Sequence, residues 1–348
     1  MTPNTFVTTG SMNERRRGTD AVLLQDGRVL AAGGEASETD ITDTAEVYDP
    51  NEGTWTAVGN MGDRRVYPVV VLLNDGRVLV AGGLHPNGSV LSSAETFDPT
   101  TGTFSPTGPM SVGRARAQAF RLDDGRVIVI GGLADSGAHD TAEIYDPATG
   151  TWSATGSMHE ARDRHRAAMM LDGRIVVTGG SDGVGNGTST NSTEIYNPLT
   201  GTFGQIGPMT IARDRHALVL LGDSRVIVAG GQSNSVIERA TDIFDPRTGH
   251  TVWNGAAPLE HRRFAASYTA LANGNALICG GFDGENYLRT CEVYDAATDT
   301  FIEADQLSQP TSGALIVTLA DGQVLVCGGL GNGDETLKTC DLYTEVFI

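Results

Sequence analysis

The chain has 348 residues, of which 45 are glycine and 6% aromatic, and it carries a formal net charge of −19. That acidity argues against nucleic acid or an anionic membrane surface as a partner. No apolar run approaches the ~20 residues of a membrane-spanning helix, and no charged-then-apolar leader stands before the first strand-like run, so a soluble chain, cytoplasmic or secreted after processing, is expected.

In chain order, a short strand-like run around Phe6 (NTFVTTGSM) comes first. Then follow TDAVLL, the turn dipeptide Asp26-Gly27, and RVLAAGG ending at Gly33-Gly34. The turn joins two antiparallel strands. The second is apolar at nearly every position, which suits a strand covered on both faces. A polar loop, a third strand TAEVYDP, a turn NEGT and a fourth strand opened by Trp55 complete one unit. The unit recurs: Gly-Gly pairs stand at 33, 82, 131, 179, 230, 280 and 328, spaced 48 to 51 residues apart. A period near fifty built from four strands predicts a propeller, with residues 1–348 forming one domain.

Counting backward from the glycines closes the ring. From the aromatic that opens each fourth strand to the next Gly-Gly is 27 residues in every repeat, and 27 before Gly33 stands Phe6. The N-terminal segment, residues 4–9, is therefore expected to complete the last blade, whose other strands come from residues about 312–344. Closure leaves every sheet edge short and protected.

In a four-stranded meander the post-glycine loops and the blade-to-blade crossings share one edge. Loop length varies on that edge: from the second glycine to the next aromatic the count runs from 13 to 16. Variable loops on a rigid scaffold are where binding specificity usually lies. The crossings on the same edge hold fourteen of the 24 basic residues, all arginine, so a basic collar is expected around the mouth of the central channel. Six of these (Arg16, Arg65, Arg114, Arg162, Arg213 and Arg263) stand four residues after Met12, Met61, Met110, Met158, Met209 and Leu259. Seven acids stand two before the third-strand aromatics, namely Glu46, Glu95, Glu143, Glu194, Asp242, Glu292 and Asp341. The recurrence predicts one structural ion pair per blade for the six arginines.

What departs from that pattern is the candidate site. Arg116, Arg164 and Arg215 stand six residues after their Met, Tyr67 fills that position in the second blade, and Arg15, Arg64 and Arg262 precede the structural arginine by one. His165 and His216 follow in two matching ARDRH segments. Arg offers a planar fork for carboxylate or phosphate, and His titrates near neutrality. The arginines are candidate anion ligands; His165, His216 and Tyr67 are candidate acid–base groups. Cys279 with Cys291, and Cys327 with Cys340, occupy positions that hold alanine in the first two repeats. They are either two cross-strand disulfides or four small buried thiols.

The double glycine, a Tyr often set in YDP, and a Trp or Phe at fixed separation resemble the kelch repeat family over the whole chain. That resemblance implies an all-β, seven-bladed propeller of four-stranded antiparallel blades. Kelch repeats commonly hold Arg at the six structural positions, and most such propellers serve as binding modules. A monomer that holds an anionic small molecule, an acidic sugar or an acidic protein segment is therefore expected. The alternative is a carbohydrate-active enzyme, a sugar-acid isomerase resembling the kelch sialic-acid mutarotases or a uronate lyase. No cofactor is expected. His85, His139, His159, His165, His216 and His261 share the loop-rich edge, but the Tyr-His pair of the copper-dependent galactose oxidases is absent, as is the Glu-x3-Asp-x3-His run of iron-dependent specifier proteins.

Overall fold

A computed structural model describes residues 5–183, 187–248 and 252–345. Seven four-stranded antiparallel sheets are arranged as the blades of a propeller ring. In blade 1 the strands run outward from the axis as Ala21–Leu23, Val29–Ala32, Ala45–Asp49 and Thr54–Ala57. No α-helix occurs among the described residues; the helical turns are 3-10, at Pro246–Thr248 and Asn332–Asp334.

The second strand of each blade is the core. Val29–Ala32, Val78–Ala81, Val127–Ile130 and their counterparts are buried at all four positions, because neighbouring blades cover both faces. Each such Val, Leu or Ile contributes roughly 1.5–3 kcal/mol by leaving water. The Gly-Gly pairs let the blades meet. Gly33 has φ +72°, and a Cβ there would stand 2.5 Å from the Arg65 carbonyl of the next blade. The next amide, Gly34 N–H, donates to that same carbonyl at 2.8 Å.

The last blade closes as the 27-residue count requires. Leu315–Thr318, Val324–Cys327 and Cys340–Thr344 are joined on the outside by Thr5–Thr9. Phe6 pairs with Tyr343 in register, their rings 5.0 Å apart. Asn4, placed in the same strand by the count, lies outside the described residues. Cys279–Cys291 and Cys327–Cys340 are register partners and are joined as disulfides.

All six expected ion pairs form. Arg16 meets Glu46 at 3.0 Å, Arg65 meets Glu95 at 2.9 Å and Arg114 meets Glu143 at 3.1 Å. Arg162 meets Glu194 at 3.0 Å, Arg213 meets Asp242 at 2.8 Å and Arg263 meets Glu292 at 2.7 Å. Each guanidinium also donates to the carbonyl of its blade's first glycine, as Arg16 does to Gly33 at 2.9 Å. This satisfies a buried carbonyl as well as a carboxylate. Blade 7 has Thr311 at the arginine position; its hydroxyl reaches the Gly328 carbonyl at 2.7 Å. Asp341 is left with Ser308 as its hydrogen-bond donor, and burial raises its pKa.

Candidate functional site

The residue six after each opening Met or Leu turns the chain from the crossing into the innermost strand. Gly18, Tyr67, Arg116, Arg164, Arg215, Ala265 and Gly313 all have φ between 49° and 64° there. They form a collar around the axis. Tyr67 N–H donates to Gly18 O at 2.6 Å, Arg116 to Tyr67 O at 3.1 Å, Arg215 to Arg164 O at 3.1 Å, Ala265 to Arg215 O at 2.9 Å and Gly313 to Ala265 O at 2.8 Å. A left-handed conformation costs a bulky residue roughly 1–2 kcal/mol relative to glycine, so four large side chains here are held against local preference. Such strain concentrates at functional positions.

The collar rims an axial cavity of about 600 Å3. Tyr67, Arg116, Arg164 and Arg215 occupy one side of it, and Ala265, Gly313 and Gly18 leave the other side open. Arg116 lies over the Tyr67 ring at 4.7 Å and Arg215 over Phe264 at 5.2 Å. Asp163, almost fully buried, supports two of the cations: its Oδ2 is 3.2 Å from Arg116 Nη1 and 3.6 Å from Arg164 Nε. Asp214 stands 3.5 Å from Arg215 Nε. Three guanidiniums thus share two carboxylates, and Arg215 has its pKa lowered, by burial first and then by Arg164 and Arg116.

Deeper in the channel, Arg166 donates to the His216 carbonyl at 3.1 Å and lies 5.6 Å from the Tyr268 ring centre. Asp20 is open to the channel yet enclosed by its walls; desolvation raises its pKa and Arg166 opposes the shift. Asp20, Gln118 and Arg166 all line the cavity. They stand eight residues after Met12, Met110 and Met158, an offset legible in the sequence once the collar position is known.

The structure separates the remaining sequence candidates from this cavity. His165 and His216 are 0% and 1% exposed and lie inside the wall. One residue beyond the collar the side chain points between blades, into the space over the glycine pairs. A Cβ on Gly131 would stand 2.8 Å from the His165 ring, and one on Gly179 would stand 3.0 Å from that of His216. His216 Nε2 bonds the Thr178 hydroxyl at 2.7 Å, whereas the His165 ring faces the backbone of Arg162 and Ile130 without a hydrogen bond of good geometry among the described residues. Burial, then the charges of Arg162 and Arg166, drive the His165 pKa down to about 3; burial and Arg213 hold His216 well below its ordinary value. Arg15, Arg64 and Arg262 lie on the outer rim, about half exposed, facing Glu335, Asp40 and Glu285 of the loops. Among the described residues no three His, Cys, Asp or Glu side chains converge as metal ligands.

Fold and site together define a β-propeller with an arginine-lined axial cavity. The chain belongs to the kelch-repeat family: residues 18–231 match the KLHDC2/KLHL20/DRC7 Kelch-repeats domain and residues 270–307 the Kelch motif. It is 30% identical to the kelch repeat-containing protein kel-10 of Caenorhabditis elegans over 123 residues, 34% of this chain and 21% of that one. An F-box/kelch-repeat protein of Arabidopsis thaliana is 31% identical over 150 residues, 42% of this chain and 39% of that one. The matches thus span a minor part of these relatives. Among solved structures, a fungal alcohol oxidase of the AA5 family in complex with copper superposes with a TM-score of 0.77 at 18% identity, covering 98% of this chain and 76% of that one. At that identity the likeness concerns the fold alone.

Proposed function

We propose that this propeller is a binding module whose Arg116, Arg164 and Arg215 hold an anionic group, either on a small molecule or on an acidic segment of a partner protein. One observation carries the reading: three guanidiniums, kept at left-handed backbone positions, converge on one side of an open cavity with two carboxylates between them. An excess cation in a partly desolvated rim attracts an anion more strongly than the same charge in open water. The kelch repeats of the Arabidopsis relative are joined to an F-box, and those of another Caenorhabditis elegans relative to a BTB domain, which is how a recognition module is combined with other functions. The enzymatic alternative is weaker here. Of its three nominated acid–base groups, Tyr67 alone lines the cavity.

Calorimetric titration with succinate, inorganic phosphate and a glutamate-rich peptide tests this at low salt. At least one probe is expected to bind, and Arg164→Ala or Arg215→Ala each to weaken it about tenfold or more, the worth of a charge-assisted hydrogen bond. The reading falls if no probe binds the parent, or if both variants bind as the parent does.

A further inference from the structure

A second cavity of about 290 Å3 opens beside the first, between the post-glycine loops of blades 4 and 5, and the two share Arg164 and Arg215. Its remaining wall is Gly187 and the hydroxyl, amide and carboxylate side chains of Ser189, Asp214, Gln232, Asn234 and Ser235. The two loops are tied together, since Asn234 Oδ1 accepts the Ser189 amide at 3.3 Å. Asp214 is 5% exposed; its Oδ2 accepts the Ser189 hydroxyl at 2.8 Å. Its Oδ1 faces Arg215 Nε at 3.5 Å as an ion pair but accepts no hydrogen bond among the described residues.

A buried carboxylate oxygen without a donor is an unfavourable arrangement that a ligand O–H relieves. The demands of this wall are therefore mixed. Arg164 and Arg215 call for acceptors, while Asp214 Oδ1 calls for a donor and repels a bare anion. A molecule that meets both carries its negative group close to a hydroxyl. Gln232 and Asn234 extend the same chemistry through their amide NH2 donors, their oxygens already accepting from Arg215 Nη1 and the Ser189 amide, and the Ser235 hydroxyl can donate or accept. We infer that the side cavity is a hydroxyl-binding subsite contiguous with the arginine cluster, and that the ligand is an anionic polyol: a polyhydroxy carboxylate or a polyol phosphate. This rests on the anion-binding reading above.

The test pairs anions of like charged group with and without hydroxyls. Calorimetry on the full chain compares gluconate with hexanoate, which lacks its hydroxyls, and glycerol phosphate with inorganic phosphate. At least one hydroxylated anion is expected to bind about tenfold or more tightly than its bare counterpart. Asp214→Asn, verified by its melting curve, is expected to bring that pair to near equality. Which pair shows the preference tells carboxylate from phosphate. Equal binding within both pairs by the parent overturns the inference, and needs no variant that must fold; so does a folded Asp214→Asn protein that keeps the full preference. If the bare and hydroxylated anions bind equally and Arg164→Ala abolishes both, the subsite falls and the anion site stands. If none binds, the anion reading falls as well.

Discussion

At the scale of single residues, three steps along the chain separate three fates. Arg162 is buried against Glu194, Arg164 rims the cavity, and His165 fills the space between blades. The buried arginines neutralise carboxylates that are themselves inaccessible. Arg263→Ala leaves Glu292 charged, 1% exposed and without its cation, and is expected to cost about 3–5 kcal/mol in denaturant unfolding. Arg215→Ala, at a rim position, is expected to cost about 1 kcal/mol or less; equal losses in the two variants would contradict the distinction. His165 and His216 make stability depend on pH. Unfolding frees both rings to titrate near their ordinary value, while the folded His165 stays neutral down to about 3 and His216 titrates well below normal. Between those limits the unfolded chain binds more protons, so stability is lost as pH falls, at up to about 1.4 kcal/mol per pH unit for each histidine. His165→Leu gives up only weak contacts with the backbone of Arg162 and Ile130. It is expected to lose less melting temperature between pH 7 and pH 5 than the parent; an unchanged loss would show that His165 is not a source of the acid sensitivity.

At the scale of elements, each blade is a meander whose outermost strand is held by one cross-strand aromatic pair, such as Tyr48 with Trp55 at 5.3 Å. The seventh blade takes that strand from the other end of the chain. Deleting residues 1–12 removes the Thr5–Thr9 strand and the Phe6 contact with Tyr343, and exposes the edge Cys340–Thr344. A drop of about 5 °C or more in melting temperature is expected, and a truncated protein that melts with the parent would refute the closure. The blades were legible from spacing alone, because strand length, turn chemistry and the aromatic offsets are local and repeat in register. The disulfides were legible only as a pairing of positions: Cys279 and Cys291 face one another in register, which the alanine equivalents already implied, but their bonding was left open between two alternatives.

At the scale of the whole molecule, closure places the described ends of the chain side by side, Thr5 opposite Thr344 in register. No blade is privileged by the ring itself. A circular permutant opened at the exposed Asp172-Gly173 turn, with its old ends joined by a short flexible linker, is expected to fold and to melt within a few degrees of the parent. Failure of the permutant to fold would mean that the order of synthesis, and not only the closed ring, is required. The amino-acid sequence by itself determined the number of blades, the strand that closes them and the six buried ion pairs. All of these follow from a period and from offsets within it. Only the tertiary structure decided which charges converge. Arg116, Arg164 and Arg215 come from three blades and meet because the left-handed collar turns each toward the axis. His165 and His216, one residue later, are turned away into the wall. A repeat fixes where each residue lies along its blade, whereas the direction of its side chain relative to the axis is set by backbone geometry that spacing does not record.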